Sequence, residues 1–340
     1  MNEGKSVGRV AFVTGGSGFV GGKLIGALRG RGWEVRALAR SKEAEVAVSN
    51  RGATPVHGDL SDRQVLQAGL IGVDVIFHVA AHFKMWGPRS DFDRVNVDGI
   101  KNIIESAIAI PSIRKLVAVS AAAVVMGGPK PFLEIDETVP RQARAFAPYS
   151  SSKAEAEKIL LVANGRRAGF ETVAIRPPMI WGPGMPMLDH MVQVVKAGQW
   201  QWVEKGTQAM STCHVDNLVE GMLLAAEHGR GGEAYFIADA EVGTLKSVIG
   251  GLLATKNVKA TDKAVSFTMA WRLAGLMGFF WRLLRLKSEP PITRQMLQLI
   301  GKPFTVSIDK ARRELTYTPK ITWSRGISDM SDRQSAALLV

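Results

Sequence analysis

The stretch TGGSGFVGG, Thr14–Gly22, follows the apolar run RVAFVTG and opens onto a helical pattern that reaches about Arg29. Gly15, Gly18 and Gly21 recur at three-residue spacing. Glycines so placed let the backbone turn tightly, approach a pyrophosphate and pack the next helix onto a sheet. The helix N-terminus then offers free N–H groups and the positive end of its dipole, with Ser17, Phe19 and Val20 in the same turn. Strand, glycine turn and helix in this order predict a dinucleotide-binding α/β unit.

The rest of the first half repeats the same alternation. Apolar runs EVRALAR, TPVHGDL, VDVIFHVAA, KLVAVSAAA and TVAIRPPMI are separated by helix-like segments. Strands this apolar are buried on both faces, which predicts a doubly wound parallel-sheet Rossmann fold. After Pro177–Pro178 the rhythm gives way to Met-, Trp- and Gly-rich sequence, the expected sign of a smaller C-terminal substrate lobe. The predicted division is a nucleotide-binding domain over 7–178 with a returning segment about 205–240, and a substrate lobe over 179–204 and 241–335. A chain of 340 residues with 46% hydrophobic content is long and apolar enough to bury both.

Coenzyme choice turns on the end of the second strand. An acid there holds the ribose 2′-hydroxyl of NAD, whereas this chain has Ala39 and then Arg40, which favours the 2′-phosphate of NADP(H) over NAD(H). Asp59 and Leu60, in HGDL, are placed to meet the adenine, and Ala80 and Ala81 are small enough for a ribose to lie against backbone.

In APYSSSK, Tyr149 and Lys153 are four residues apart and share one helix face. A phenol is a poor acid near neutrality, and a neighbouring ammonium stabilises its phenolate. Such a pair can exchange a proton with a carbinol oxygen while hydride moves to or from nicotinamide.

With these residues in view, the chain resembles an extended short-chain dehydrogenase/reductase, of the NAD-dependent epimerase/dehydratase superfamily, from about Arg9 to Gly326. The resemblance rests on TGGSGFVG, GDL, HVAA, the NVDG of Asn96–Gly99, YSSSK, RPPMIWGPG, the HVDNL of His214–Leu218 and the closing DKARRELTYTPKI. It implies Tyr149 as acid/base, Lys153 as the group that holds the ribose and tunes the phenol, and Pro177 with Ile180 beside the nicotinamide. It also implies that Asn96 buttresses the catalytic helix. Nucleotide-sugar members carry an asparagine and an arginine on the substrate diphosphate where this chain looks to have Met179 and Met210, and a thioether offers neither a strong donor nor a charge. Trp181, Met185, Met187, Met191, Trp200 and Trp202 suit an apolar molecule better, if they line a pocket rather than a core. The chain is therefore similar to the 3β-hydroxysteroid dehydrogenase and dihydroflavonol reductase branch.

One family element is missing. Relatives place a serine or threonine hydroxyl about five residues before the glycine matching Gly127, where this chain has Ala122, or Ala121 with a one-residue slip. Ser120 is the nearest candidate, since two residues along a strand restores the facing. Three readings stay open: Ser120, or another hydroxyl such as Thr212, substitutes; water polarises the carbonyl; or the protein binds NADP(H) without redox chemistry. Losing one such donor costs about 10²–10³ in rate, which slows an enzyme without abolishing it.

The expected activity is NADP(H)-dependent interconversion of a ketone and a secondary alcohol on a hydrophobic, sterol-like molecule, with a nucleotide-sugar epimerase or dehydratase as the alternative. His82, in AAHFKMW, is expected to face the coenzyme or substrate cleft with Lys84. The histidines, among them His78, His82, His190 and His214, show no metal-ligand spacing, so no metal is expected. Cys213 is the only cysteine and reads as a buried, inert thiol, without an intramolecular disulfide. The start MNEGKSVGRV has no leader pattern, so a cytoplasmic location is expected.

Net charge is +12, and from Glu241 onward eight Lys and eight Arg face seven acids, an excess of 16 − 7 = +9. Scattered basic residues without a reading motif argue against nucleic acid. The segment 264–286, AVSFTMAWRLAGLMGFFWRLLRL, is apolar except for Arg272, Arg282 and Arg285, with its uninterrupted part, Leu273–Trp281, too short to span a bilayer. It is expected to pack on the second lobe, to roof a cleft or to touch a membrane surface peripherally. The resemblance also allows a homodimer formed through the helix bearing Tyr149 and its neighbour.

Overall fold

The computed structural model describes residues 9–143, 145–286 and 288–337. The elements of the first half run β1 (Val10–Thr14), α1 (Phe19–Gly30), β2 (Glu34–Ala39), α2 (Lys42–Ser49), β3 (Thr54–His57), α3 (Arg63–Leu70), β4 (Val75–His78), α4 (Arg89–Phe92), α5 (Gly99–Ile108), β5 (Lys115–Val119) and β6 (Phe132–Ile135). The middle continues with α6 (Pro148–Val162), β7 (Glu171–Arg176), β8 (Met179–Trp181), α7 (Pro186–Lys196), β9 (Trp202–Val203), β10 (Ala209–His214), α8 (Val215–His228) and β11 (Glu233–Phe236). The remainder is β12 (Val242–Thr244), α9 (Leu245–Ala254), β13 (Ala264–Val265), α10 (Phe267–Leu283), α11 (Arg294–Ile300), β14 (Phe304–Val306), α12 (Asp309–Leu315) and α13 (Trp323–Ala337).

Seven strands form a parallel sheet in the order β11-β7-β5-β4-β1-β2-β3. Alternating side chains enter opposite layers: Val13 packs with Leu24, Leu28 and Phe77 on one face, and Phe12 with Leu66, Ile103 and Leu116 on the other. Pro55 has no N–H to give a second neighbour, in keeping with β3 at the edge. Strand order reverses direction at β1, so the loops after β1 and β4 face each other across the crevice where such sheets bind ligands. This is the doubly wound Rossmann architecture.

A second sheet of five strands, β12-β10-β14-β6 with β8 on β10, stands beside the first. The stretch 205–240 is shared between the two, since β10 belongs to this smaller sheet and β11 to the large one.

Here the Met/Trp-rich sequence differs from a pocket lining. Trp181, Met185, Met191, Trp202 and Met210 are buried together with Leu188, Leu245 and Leu252, and Met179, Met187 and Trp200 pack on that cluster half-buried. They form the core of the lobe because each meets other apolar side chains. Trp181 is 0% exposed, with its ring 4.8 Å from His214 and 4.4 Å from Trp323, and its Nε1 donates to Asp239 at 2.7 Å. The Asp239 carboxylate also accepts from Thr212 Oγ1, His214 N and Asn217 Nδ2, while Asn217 Oδ1 accepts from the backbone of Lys320 and Ile321. The HVDNL motif thus ties the C-terminal segment to the lobe.

Candidate active site

β1 ends at Thr14, and the turn that follows is shaped by what its glycines lack. Gly15 has φ +72°, and a Cβ there would lie 2.7 Å from Ala80 N. A Cβ on Gly21 would run into the Gly15 carbonyl, so α1 could not seat against the turn. Gly18 N donates to Gly15 O at 3.0 Å. Ser17 and Gly18 are exposed, Phe19 and Val20 half-buried, and α1 begins with no side-chain cap and no acid in its first turn. Its leading N–H groups are left for an anion. Thr14 Oγ1 accepts from Ala80 N at 3.2 Å and pairs with His78 Nδ1 at 2.8 Å, fixing the β4 loop against the turn. Burial, aided by the charge of Lys153, holds the His78 pKa down at about 3, so this ring is neutral.

The residues fit a dinucleotide with its pyrophosphate on α1. Arg40 projects from the end of β2 and is exposed, with no hydrogen bond or ion pair among the described residues. Asp59 Oδ1 accepts from Ser61 N and Oγ, so one carboxylate oxygen shapes the loop after β3. Leu60 is buried against Gly99, Ala80 is half-buried and Ala81 exposed.

Tyr149 stands in the first turn of α6, whose leading N–H groups have no local cap. One is met from far along the chain. Gln295 Oε1, on α11, accepts from Tyr149 N at 3.0 Å, and its Nε2 donates to Lys84 O at 2.5 Å. Asn96 lies in a six-residue π-helical turn, Asp93–Asp98, that widens the backbone between α4 and α5. Asn96 Oδ1 accepts from His82 N at 2.7 Å and its Nδ2 donates to Ser152 Oγ at 2.9 Å; Ser152 Oγ in turn donates to Tyr149 O at 2.9 Å. The loop after β4, the helix bearing Tyr149 and α11 are thereby locked together. Phe83 packs edge-on to the Tyr149 ring at 4.8 Å, and the His82 ring packs on Phe92 at 4.8 Å.

Lys153 Nζ donates to Val119 O at 2.6 Å, anchoring the side chain to the end of β5. Burial lowers its pKa to about 8, against the pull of Glu157. Burial raises the Tyr149 pKa, so the phenol carries its proton at neutral pH.

Ser120 directly follows β5. Its hydroxyl donates to Glu157 Oε2 at 2.6 Å, inside a buried network in which Arg176 grips Glu157 with Nη2–Oε1 at 2.7 Å and Nε–Oε2 at 3.0 Å. Glu157 is 0% and Arg176 2% exposed, and a charge pair so dry takes any donor within reach. The hydroxyl expected to substitute for the missing donor is thus engaged by Glu157. Thr212 is also committed, to Asp239 at 2.8 Å. Ala121 and Ala122 are buried, and Ala122 N donates to Pro177 O at 2.8 Å. That bond places Pro177, with half-buried Ile180 on β8, beside the end of β5.

A cavity of about 420 Å³ lies elsewhere, lined by residues that include Glu137, Arg141, Lys158 and Arg176. It contains none of the residues around Tyr149. Among the described residues no cluster of three His, Cys, Asp or Glu could hold a metal, and Cys213 is buried with its pKa raised well above the ordinary thiol value by burial.

The sequence model of the 3-beta hydroxysteroid dehydrogenase/isomerase family matches residues 12–241. The chain belongs to this family. Its members are NAD(P)-dependent oxidoreductases acting on hydroxyl and keto groups, and this member is such a dehydrogenase/reductase. It is 41% identical over 317 residues, 93% of this chain and 94% of the relative, to a 4-hydroxy-2-methyl-3-oxo-4-farnesyl-3,4-dihydroquinoline-1-oxide ketoreductase of Stigmatella aurantiaca. It is 34% identical, over 96% of this chain and 99% of the relative, to a 2-alkyl-3-oxoalkanoate reductase of Stenotrophomonas maltophilia (strain K279a). The crystal structure of gox2253 superposes with a TM-score of 0.77 at 28% identity, over 96% of this chain and 98% of the other. The dTDP-glucose 4,6-dehydratase DesIV of Streptomyces venezuelae, with NAD and TYD bound, has a TM-score of 0.74 at 22% identity, over 97% and 98% of the two chains, and shares the fold.

Gln295, Phe83 and Glu157 have no counterpart among the residues singled out from sequence. Glu157 follows Lys153 by one helical turn, which was a usable signal; Gln295, distant in sequence and outside any motif, offered none.

Proposed function

We propose that this family member reduces the ketone of a bulky hydrophobic molecule with NADPH, or oxidises the matching alcohol with NADP⁺. The observation that carries the reading is the placement of Tyr149: held by Gln295 and Ser152, one turn from Lys153, on the helix locked to the loop after β4. When bound, the nicotinamide coenzyme supplies or accepts the hydride. Gly15, Ser17, Gly18, Phe19, Val20 and Gly21 hold its pyrophosphate, Arg40 its 2′-phosphate, and Asp59, Leu60, Ala80, Ala81, His82, Pro177 and Ile180 border the rest.

In reduction, Tyr149 gives its phenolic proton to the carbonyl oxygen as the carbon becomes tetrahedral, and the Lys153 ammonium stabilises the phenolate left behind. Solvent then restores the proton. With Ser120 and Thr212 committed elsewhere, the second donor to the substrate oxygen is water, and turnover is slower than a fully equipped site would give. The substrate class is supported by the names of the relatives, which act on farnesyl-quinoline, 2-alkyl-3-oxoalkanoate and sterol-carboxylate compounds. A nucleotide sugar is disfavoured because Met210 lies in the lobe core and Met179 packs on it.

The test sets oxidation of NADPH by the purified protein with a 2-alkyl-3-oxoalkanoate or a 3-keto sterol against conversion of UDP-glucose, followed by chromatography of the sugar because epimerisation or dehydration consumes no NADPH. Turnover with a hydrophobic ketone is expected, and reaction with UDP-glucose alone would overturn the reading. Arg40→Ala is expected to weaken NADPH binding by about tenfold or more while leaving NADH nearly unchanged; equal weakening would remove the coenzyme preference.

A further inference from the structure

The helix α10 is built with its large apolar side chains on the outside. Its inward positions are Phe267, Ala270, Ala274 and Gly278, mostly small, whereas Met269, Leu273, Leu276, Phe280 and Leu283 form one continuous outward stripe at alternating four- and three-residue spacing. Met269 is 64%, Leu276 56% and Leu283 63% exposed, and Phe279, Leu284 and Leu286 widen the patch. A helix packed only for stability carries the reverse pattern.

The small inward residues seat α10 directly over the roof of the candidate site. A Cβ on Gly278 would lie 3.3 Å from the Trp86 ring, Arg282 lies over the same ring at 5.0 Å, and Phe146 meets Trp271 edge-on at 5.6 Å. Trp86 belongs to the loop that carries Phe83 and Lys84, and Phe146 precedes α6. Phe83 and Phe146 are themselves exposed, so apolar surface continues from the stripe to the neighbourhood of Tyr149.

Charge selects the occupant. Across 264–286 the only charged residues are Arg272, Arg282 and Arg285, all exposed, within a C-terminal third carrying +9. Two copies docked through this face would oppose arginine rim to arginine rim. An anionic lipid surface accepts both the apolar stripe and the arginines. Crossing the bilayer is not available: no helix among the described residues is long and apolar enough.

We infer that α10 lies in the interface of an anionic bilayer, with the exposed Phe83 and Phe146 near Tyr149 turned toward the lipid. The docking stands on the surface alone; delivery of a lipid-dissolved ketone through it rests on the function proposed above.

The experiment is co-sedimentation of the whole protein with phosphatidylcholine vesicles, with and without phosphatidylglycerol, which reads binding independently of turnover. Binding to the phosphatidylglycerol vesicles, weakened by salt, is expected. L276D/F280D is expected to bind at least tenfold more weakly with its melting temperature retained, and R272Q/R285Q to lose the preference for anionic lipid. Should L276D/F280D lose its fold, L276S/F280S replaces it, with the same loss expected. Wild-type protein left in the supernatant with both vesicle types, or paired variants sedimenting as it does, would overturn the proposal. A wild-type dimer that becomes monomeric in L276D/F280D, without vesicle binding, would assign the face to a second copy instead.

Discussion

Two stretches of this chain look alike in composition and end in opposite places. The Met/Trp-rich stretch after Pro178 supplies Trp181, Met185 and Met191 to a buried cluster, while α10, equally apolar, leaves Met269, Leu276 and Leu283 in solvent. The difference lies in the partners each is offered. Trp181 has His214, Trp323 and a hydrogen bond to Asp239, whereas the outward face of α10 is left exposed by the described residues. Apolar composition reports that a surface wants covering; geometry reports whether the chain itself covers it.

A pair of truncations separates the two stretches by the largest margin. Trp181→Ala is expected to cost about 3–5 kcal/mol in chemical denaturation, through cavity formation and an Asp239 oxygen deprived of a donor. Leu276→Ala is expected to stay within about 0.5 kcal/mol of wild type. Similar costs for the two would show that α10 is not the uncovered surface described.

The same contrast of burial can be sharpened with a charge. Lys153 is buried with its pKa lowered to about 8 from the ordinary 10.5, so folding penalises the ammonium below pH 8. Between about pH 8 and 10.5 the unfolded chain holds a proton that the folded one has released, and stability rises with pH by up to about 3 kcal/mol. Lys153→Met lacks that gain, so its stability relative to wild type should fall across this window. Parallel denaturation profiles at pH 7 and 10.5 would contradict the assignment.

A smaller effect is expected where the roof meets the reaction helix. Gln295→Ala removes the bonds to Tyr149 N and Lys84 O, at about 1–2 kcal/mol of stability. Because it acts through the position of Tyr149, kcat should fall while NADPH affinity is retained, and Gln295→Glu, which keeps the acceptor, should recover part of the loss. An unchanged kcat in Gln295→Ala would make the residue purely structural.

The sheet was legible because each of its first strands announces itself as a short apolar run between helices, and because Gly21 is dictated by a contact within the turn itself, with the Gly15 carbonyl. β11, EAYF on the sheet edge, did not stand out because it lies beyond the break in the strand–helix alternation after Pro178. Tyr149 and Lys153 were legible for the same local reason, four residues apart on one helix. The engagement of Ser120 by Glu157 was not legible, because Glu157 and Arg176 are brought together only by the fold. Gln295 was illegible for that reason too. Met185 and Met191 could equally have lined a pocket or filled a core, and only the cluster around Trp181 decides.

The central claim is that Tyr149 supplies the proton at the nicotinamide end of a bound coenzyme. Single-turnover reduction of a hydrophobic ketone by Tyr149→Phe, with NADPH affinity measured on the same sample, tests it most directly. The account predicts a loss of about 10²–10⁴-fold in rate with coenzyme affinity unchanged. A variant that reduces the ketone at the wild-type rate would contradict it.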